Sequence, residues 1–184
     1  PDYGYSPFMN EKFFDDWSHD LKWGIHQARC VVGHNLKVAW NLTRMHSLMP
    51  KESYKTFAHQ IADAIPDAGC DTQRGGWYDM MERTLKDGEE NYRRVWHDRK
   101  AWWQQEQGIL AYYIMAGVYD DKPEYLNYAR EGSAFYNGWF LDYEEGGIYF
   151  NVLANGQPYS LGSERGKGSH SMAGYHSFEL CFLS

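Results

Sequence analysis

The chain has 184 residues, 18 of them basic and 25 acidic, for a formal net charge of −7. That balance lacks the basic footprint that a phosphate backbone demands, which argues against nucleic acid as a partner. No apolar run approaches the roughly 18 residues of a membrane-spanning helix, so a membrane partner is not expected either. Aromatic residues make up 17%, with 8 Trp and 15 Tyr, so most must be core or interface and the remainder suit stacking on sugar rings.

Phe13, Phe14, Trp17 and Leu21 fall at helical spacing and predict an amphipathic helix from Asn10 to about Trp23. Gly33 introduces a second helix, His34 to Leu48, stopped by Pro50. A third runs from about Glu52 to Ala64, with Phe57, Ile61 and Ile65 on one face and Pro66 and Gly69 closing it. Cys70 to Lys100 is irregular, with Arg74-Gly75-Gly76-Trp77-Tyr78 as a turn into a short extended piece. A strong helix follows from Ala101 to about Tyr119, and Pro123 opens another that reaches about Phe140. Gly146 to Val152, followed by Asn155-Gly156, signals a β-hairpin. Met172 to Phe182 predicts a final helix.

The fold class is therefore all-α: antiparallel helical hairpins packed side by side, with a short β-hairpin in a loop, forming one domain or a piece of one. Cys30, Cys70 and Cys181 cannot all pair and show no CxxC spacing, which points to reduced, core-filling thiols and a cytoplasmic setting. The sequence opens on Pro1 rather than Met, so the native N-terminus is expected to be absent and secretion stays open. The sequon Asn41-Leu42-Thr43 falls in a predicted helix and carries no weight.

Four segments, in order, give a resemblance. Gly33-His34-Asn-Leu-Lys37-Val-Ala-Trp40 resembles a Gly-His-x-x-Glu-x-x-Trp helix start. Arg74-Gly-Gly-Trp77-Tyr-Asp79 resembles a Gly-Gly-Trp-Tyr-Asp segment. Lys100-Ala-Trp102-Trp103-Gln-Gln-Glu106 resembles a Lys-x-Trp-Trp-x-x-x-Glu helix start, with the Glu one position early. Gly146 through Lys167 to Tyr175-His176 resembles a closing hairpin, Lys and aromatic-His motif. Together they are similar to the N-acylglucosamine 2-epimerase family, with its cellobiose 2-epimerases and mannose-type aldose–ketose isomerases.

The resemblance implies residues 1–184 as the C-terminal half of a single (α/α)6 barrel. The N-terminal half would be absent, and a complementary half-barrel segment would be a partner. It further implies a mono- or disaccharide substrate, a cofactor-free and metal-free proton shift at C2, and homodimer formation as a further expectation. The family's paired histidines fall on His34 and His176, each at a loop-to-helix transition, where imidazole supplies an acid or base near neutral pH. The bland alternative for each is a helix-capping histidine.

Adjacent residues on a helix diverge by about 100°, so one of Trp102 and Trp103 is expected in the pocket and the other in the packing layer. Trp77, Glu106, Arg74, Lys167 and His170 complete the expected substrate contacts, against the alternatives of core aromatics and solvated surface charges. Glu106 is expected to bond a sugar hydroxyl or orient a histidine. His19, His26, His46, His59 and His97 show no ligand spacing, and no HExxH, GxSxG or phosphate loop occurs.

Two departures matter. Lys37 stands at the family's Glu, beside a proposed base, where it would pair with Glu106, Glu179 or an acidic substrate group. Ser169, His170 and Ser171 stand where the family has aromatics. They leave open a non-catalytic relative that binds a glycan or protein partner. A glycoside hydrolase or lyase is the third reading, with Asp79 and Glu106 as its carboxylate pair.

Overall fold

The structure, a computed structural model, describes residues 6–9, 29–95, 98–168 and 171–184. The predicted first helix, residues 10–23, and His170 lie outside them. Among the described residues five α-helices follow one another: α1 Val32–Leu48, α2 Glu52–Gly69, α3 Trp102–Val118, α4 Glu124–Trp139 and α5 Tyr175–Leu183. Helix α3 is the hub. It packs against α1, α4 and α5, while α2 lies on α1. The starts of α1, α3 and α5 come together at one end, because Trp103 meets both His34 and His176.

The hub helix is buried nearly all round, so its polar residues must find partners inside the protein. Three glutamines do so by gripping three neighbours. Gln104 Oε1 accepts the Gly33 N–H at 2.7 Å, tying in the start of α1. Gln105 accepts the Trp77 N–H and donates to the Trp77 carbonyl, both at 2.8 Å. Gln107 Oε1 accepts from the Trp40 indole at 2.8 Å. Each would otherwise bury an unsatisfied amide, at about 1–3 kcal/mol.

Helix α2 corrects one expectation: it passes through Pro66 and ends at Gly69. A helical proline lacks the N–H that would bond the carbonyl four residues back, here Ala62. The Tyr112 hydroxyl donates to that carbonyl at 2.9 Å instead. The turn at Arg74–Trp77 forms as expected, with Gly75 and Gly76 at φ of 84° and 76°. A clasp holds it: Lys100, fully buried, donates to Asp71 at 2.8 Å and to the Gly75 carbonyl at 2.7 Å.

The strand pairing is richer than one hairpin. β1 Arg29–Val31 pairs antiparallel with β2 Met80–Glu82, and β3 Lys100–Ala101 with β4 Asn151–Val152. The Asn155-Gly156 turn does close on itself, Leu153 donating to Gln157 and a bridge joining Val152 to Pro158. The other edge of that strand, however, is taken by β3. Lys100 and Ala101 are thus extended, and α3 begins one residue later than expected. Helix α5 begins at Tyr175 rather than Met172.

Candidate active site

Gly33 sets up the site. A Cβ there would lie 2.7 Å from both the Trp103 ring and the Gln104 side chain, so only glycine lets the starts of α1 and α3 approach this closely. That contact places the exposed His34 ring 5.1 Å from the Trp103 ring. On the other side Trp103 lies 5.5 Å from His176, the second residue of α5. The two histidines and Trp103 line one cavity of about 470 Å³ with Lys37, Asp79 and Glu164. A partly exposed indole in contact with two imidazoles suits a sugar ring, whose apolar face can stack while its oxygens meet the nitrogens.

His176 is buried, and its Nδ1 lies 3.0 Å from Gln107 Nε2. The same amide nitrogen donates to Glu179 Oε2 at 3.2 Å. Burial, reinforced by Lys37 and His34 against Glu179, lowers the His176 pKa to about 4. It is a neutral imidazole at neutral pH. Lys37 pairs with Glu179 at 3.2 Å and lies 4.8 Å over the Tyr175 ring. The charge reversal at this position is thus answered within the chain, by one of the acids expected for it.

Asp79 is the site's unusual acid. Burial lifts its pKa to about 6, with Glu164 pushing the same way against Arg99, His34 and a hydrogen bond from Gln104. Glu164 in turn accepts from Arg99 at 3.4 Å and Asn151 at 3.2 Å.

Trp102 and Trp103 both line this cavity, with unequal exposure. Trp103 is partly exposed, whereas Trp102 is buried against Phe150 at 4.5 Å and shows His176 only an edge at 6.1 Å. Several other expected contacts lie elsewhere. Trp77 is buried against Gly108 and Gly132, wedged between α3 and α4. Exposed Arg74 borders a separate cavity of about 640 Å³, with Trp77, Glu131 and Trp139. Lys167 donates to Asp142 at 2.7 Å and the Gly146 carbonyl at 3.0 Å, pinning the 141–148 turn.

Glu106 faces a third cavity of about 390 Å³ and accepts from Tyr136 and Ser177, both at 2.6 Å. It hydrogen-bonds to neither histidine and lines a different cavity from Asp79, so Asp79 and Glu106 are not a facing carboxylate pair. The residue on His176 is Gln107, one position on. Counting the Lys-x-Trp-Trp-x-x-x-Glu pattern from Lys100 puts its Glu at 107, so Gln107 holds that position and Glu106 lies one residue before it.

No family model matches the chain, and no characterised protein matches it by sequence. Solved structures do. The crystal structure of a D-mannose isomerase superposes with TM-score 0.72 at 21% identity, over 92% of this chain and 40% of that one. Cellobiose 2-epimerase from Bacillus thermoamylovorans gives 0.71 at 20%, over 96% and 41%. A family 76 glycoside hydrolase from Bacteroides thetaiotaomicron gives 0.57 at 16%, over 87% and 38%. The fold is that of part of an (α/α)6 barrel. The chain spans about two fifths of the length of each of these structures.

Proposed function

We propose that this chain belongs to a sugar-converting enzyme that moves a proton at C2 of a reducing mono- or disaccharide, as a 2-epimerase or an aldose–ketose isomerase. The observation that carries the reading is that His34 and His176 share one cavity with Trp103 against both. Imidazole needs no cofactor to take up a proton next to a carbonyl, and Trp103 offers the apolar face of the sugar a place to stack. Structural neighbours that are sugar isomerases and epimerases support the same reaction class. The lysine at position 37 does not redirect the substrate toward sugar acids, since Glu179 already answers its charge.

A complementary segment supplying the remaining helices of the barrel is part of this proposal, because the chain covers about 40% of its neighbours' length. A reducing compartment suits the free Cys30, Cys70 and Cys181. The test is incubation of the full-length protein with mannose, glucose, N-acetylglucosamine and cellobiose in D2O. Deuterium carried into C1 or C2, and its loss in both His34→Asn and His176→Asn, is the expected result. Exchange that survives both substitutions rejects the histidine mechanism.

Glycoside hydrolysis is the second reading. Asp79, with its raised pKa, and Glu164 line the same cavity, and family 76 hydrolases are among the structural neighbours. An acid that holds its proton near neutrality and a second carboxylate are what glycosidic cleavage needs. Release of reducing ends from an oligosaccharide, abolished by Asp79→Asn and not by His34→Asn, would select it.

A further inference from the structure

The contacts around Gln107 determine where the proton on His176 sits. Gln107 is fully buried and its amide has three partners. The Trp40 indole nitrogen, at 2.8 Å, can only donate, so the atom facing it is the amide oxygen. Glu179 Oε2, at 3.2 Å and paired with Lys37, can only accept, so the atom facing it is the amide nitrogen. A flipped amide would set donor against donor at Trp40 and oxygen against carboxylate at Glu179. With one N–H given to Glu179, the second points at His176 Nδ1 at 3.0 Å. That nitrogen must therefore present its lone pair. The proton of the neutral ring is on Nε2, the nitrogen left to the cavity.

We infer that Gln107 is a positioning residue that holds His176 as its Nε2–H tautomer, a neutral hydrogen-bond donor toward a bound sugar, and that the chain consequently favours aldose–ketose isomerisation over C2 epimerisation. The catalytic half of this rests on the sugar reading above; the tautomer does not. In this scheme His34 takes the C2 proton. The C–H electron pair forms the C1–C2 double bond, and the carbonyl π pair moves to O1. His176 Nε2–H donates a hydrogen bond to that oxygen and keeps its own proton. The hydroxyl proton of O2 passes to O1, and His34, having exchanged its proton with solvent, delivers one to C1 on the same face, giving the ketose.

An epimer would need a proton delivered to C2 from the opposite face. Neutral His176 could supply one only by becoming an imidazolate, a species too basic to form in such a step. The burial that keeps His176 neutral acts in the same direction. The charged and titratable groups facing it are His34 and Lys37 from α1, and Tyr175 and Glu179 from its own helix. From α3 it meets the neutral Trp102, Trp103 and Gln107, and Asp79 and Glu164 line the cavity beyond.

The primary test is nitrogen NMR of the full-length protein labelled with 15N-histidine at neutral pH, with His176→Gln assigning the resonance. A pyridine-like Nδ1 and a pyrrole-like Nε2 are expected. The reverse pattern, or a mixture, overturns the inference whatever the activity. Gln107→Glu should move the proton to Nδ1 and raise the titration midpoint of His176 by about 1–3 pH units. An unchanged tautomer in a folded Gln107→Glu protein also overturns it, and the wild-type spectrum stands if that variant does not fold.

With mannose and glucose in D2O, the wild type should give ketose with deuterium at C1 and at least tenfold less 2-epimer. Gln107→Glu should raise the epimer fraction. Epimer as the main wild-type product overturns the catalytic half. No turnover at all, beside the expected spectrum, rejects the sugar reading and with it the catalytic half, while the assignment of Gln107 holds.

Discussion

Two residues of the site respond to pH in opposite directions. Asp79 binds its proton more tightly folded than unfolded, its pKa rising from 3.8 to about 6. Stability therefore falls as pH rises between those values, and the penalty persists above them. His176 is displaced the other way, from 6.5 to about 4, so the unfolded chain binds its proton more tightly. Stability then falls as pH drops through the same window. The two slopes partly cancel in the wild type and should be exposed by removing one partner. Asp79→Asn should be as stable as wild type near about pH 4, and about 1–3 kcal/mol more stable above about pH 7. His176→Gln should gain relative to wild type as pH falls from about 6.5 to about 4. Urea unfolding at stepped pH measures both differences. A constant offset for either variant would show that its group titrates normally.

At the scale of elements, Trp77 is a wedge that two helices are built to receive. A Cβ on Gly132 of α4 would lie 2.2 Å from its ring, and one on Gly108 of α3 would lie 2.6 Å from it. Alanine is the better helix former by about 1 kcal/mol, yet here it would force the helices apart. Gly132→Ala is expected to lower stability by about 1–3 kcal/mol. Gly138→Ala in the same helix, where nothing lies within 4 Å of the added carbon, should cost nothing or gain a few tenths. Equal effects from the two, read by urea unfolding, would mean that Trp77 has room to move.

The same scale shows what could be read from the chain beforehand. Helices of 16–18 residues repeat their apolar spacing over several turns, so α1 to α4 were legible within a few residues of each end. Strands of two or three residues hold no period, and Lys100–Ala101 finds its partner some fifty residues away. Pro66 does not end its helix because the carbonyl it strands is bonded by Tyr112, on another helix. That His34, His176 and Trp103 meet at one cavity could be expected from their motifs. The role of Gln107 could not, since it depends on Trp40 and Glu179, each about seventy residues away. Trp77 and Lys167 belonged to the same motifs, but Trp77 is wedged between two helices and Lys167 pins a turn, while Arg74 borders a separate cavity.

For the whole molecule, the open question is what α5 meets on its outer side. Tyr175, Phe178 and Phe182 are 51%, 76% and 85% exposed, and their spacing puts them along one stripe. The other side of α5 turns His176 and Ser177 toward α3. Large apolar side chains aligned in this way mark an interface rather than a solvated face. This chain covers about 40% of its neighbours' length, so under the barrel proposed above further helices would cover the stripe. Burying each phenylalanine there would contribute about 1.5–3 kcal/mol. The chain expressed by itself should therefore self-associate, and Phe178→Ser with Phe182→Ser should return it toward monomer without lowering its own melting temperature. In the full-length protein the same pair should lower stability by about 3–6 kcal/mol and reduce sugar turnover, since α5 also carries His176. Sedimentation velocity on the chain and thermal unfolding of the full-length protein read the two effects. A full-length double variant that melts with the wild type would show that the stripe faces solvent and that the barrel closes elsewhere.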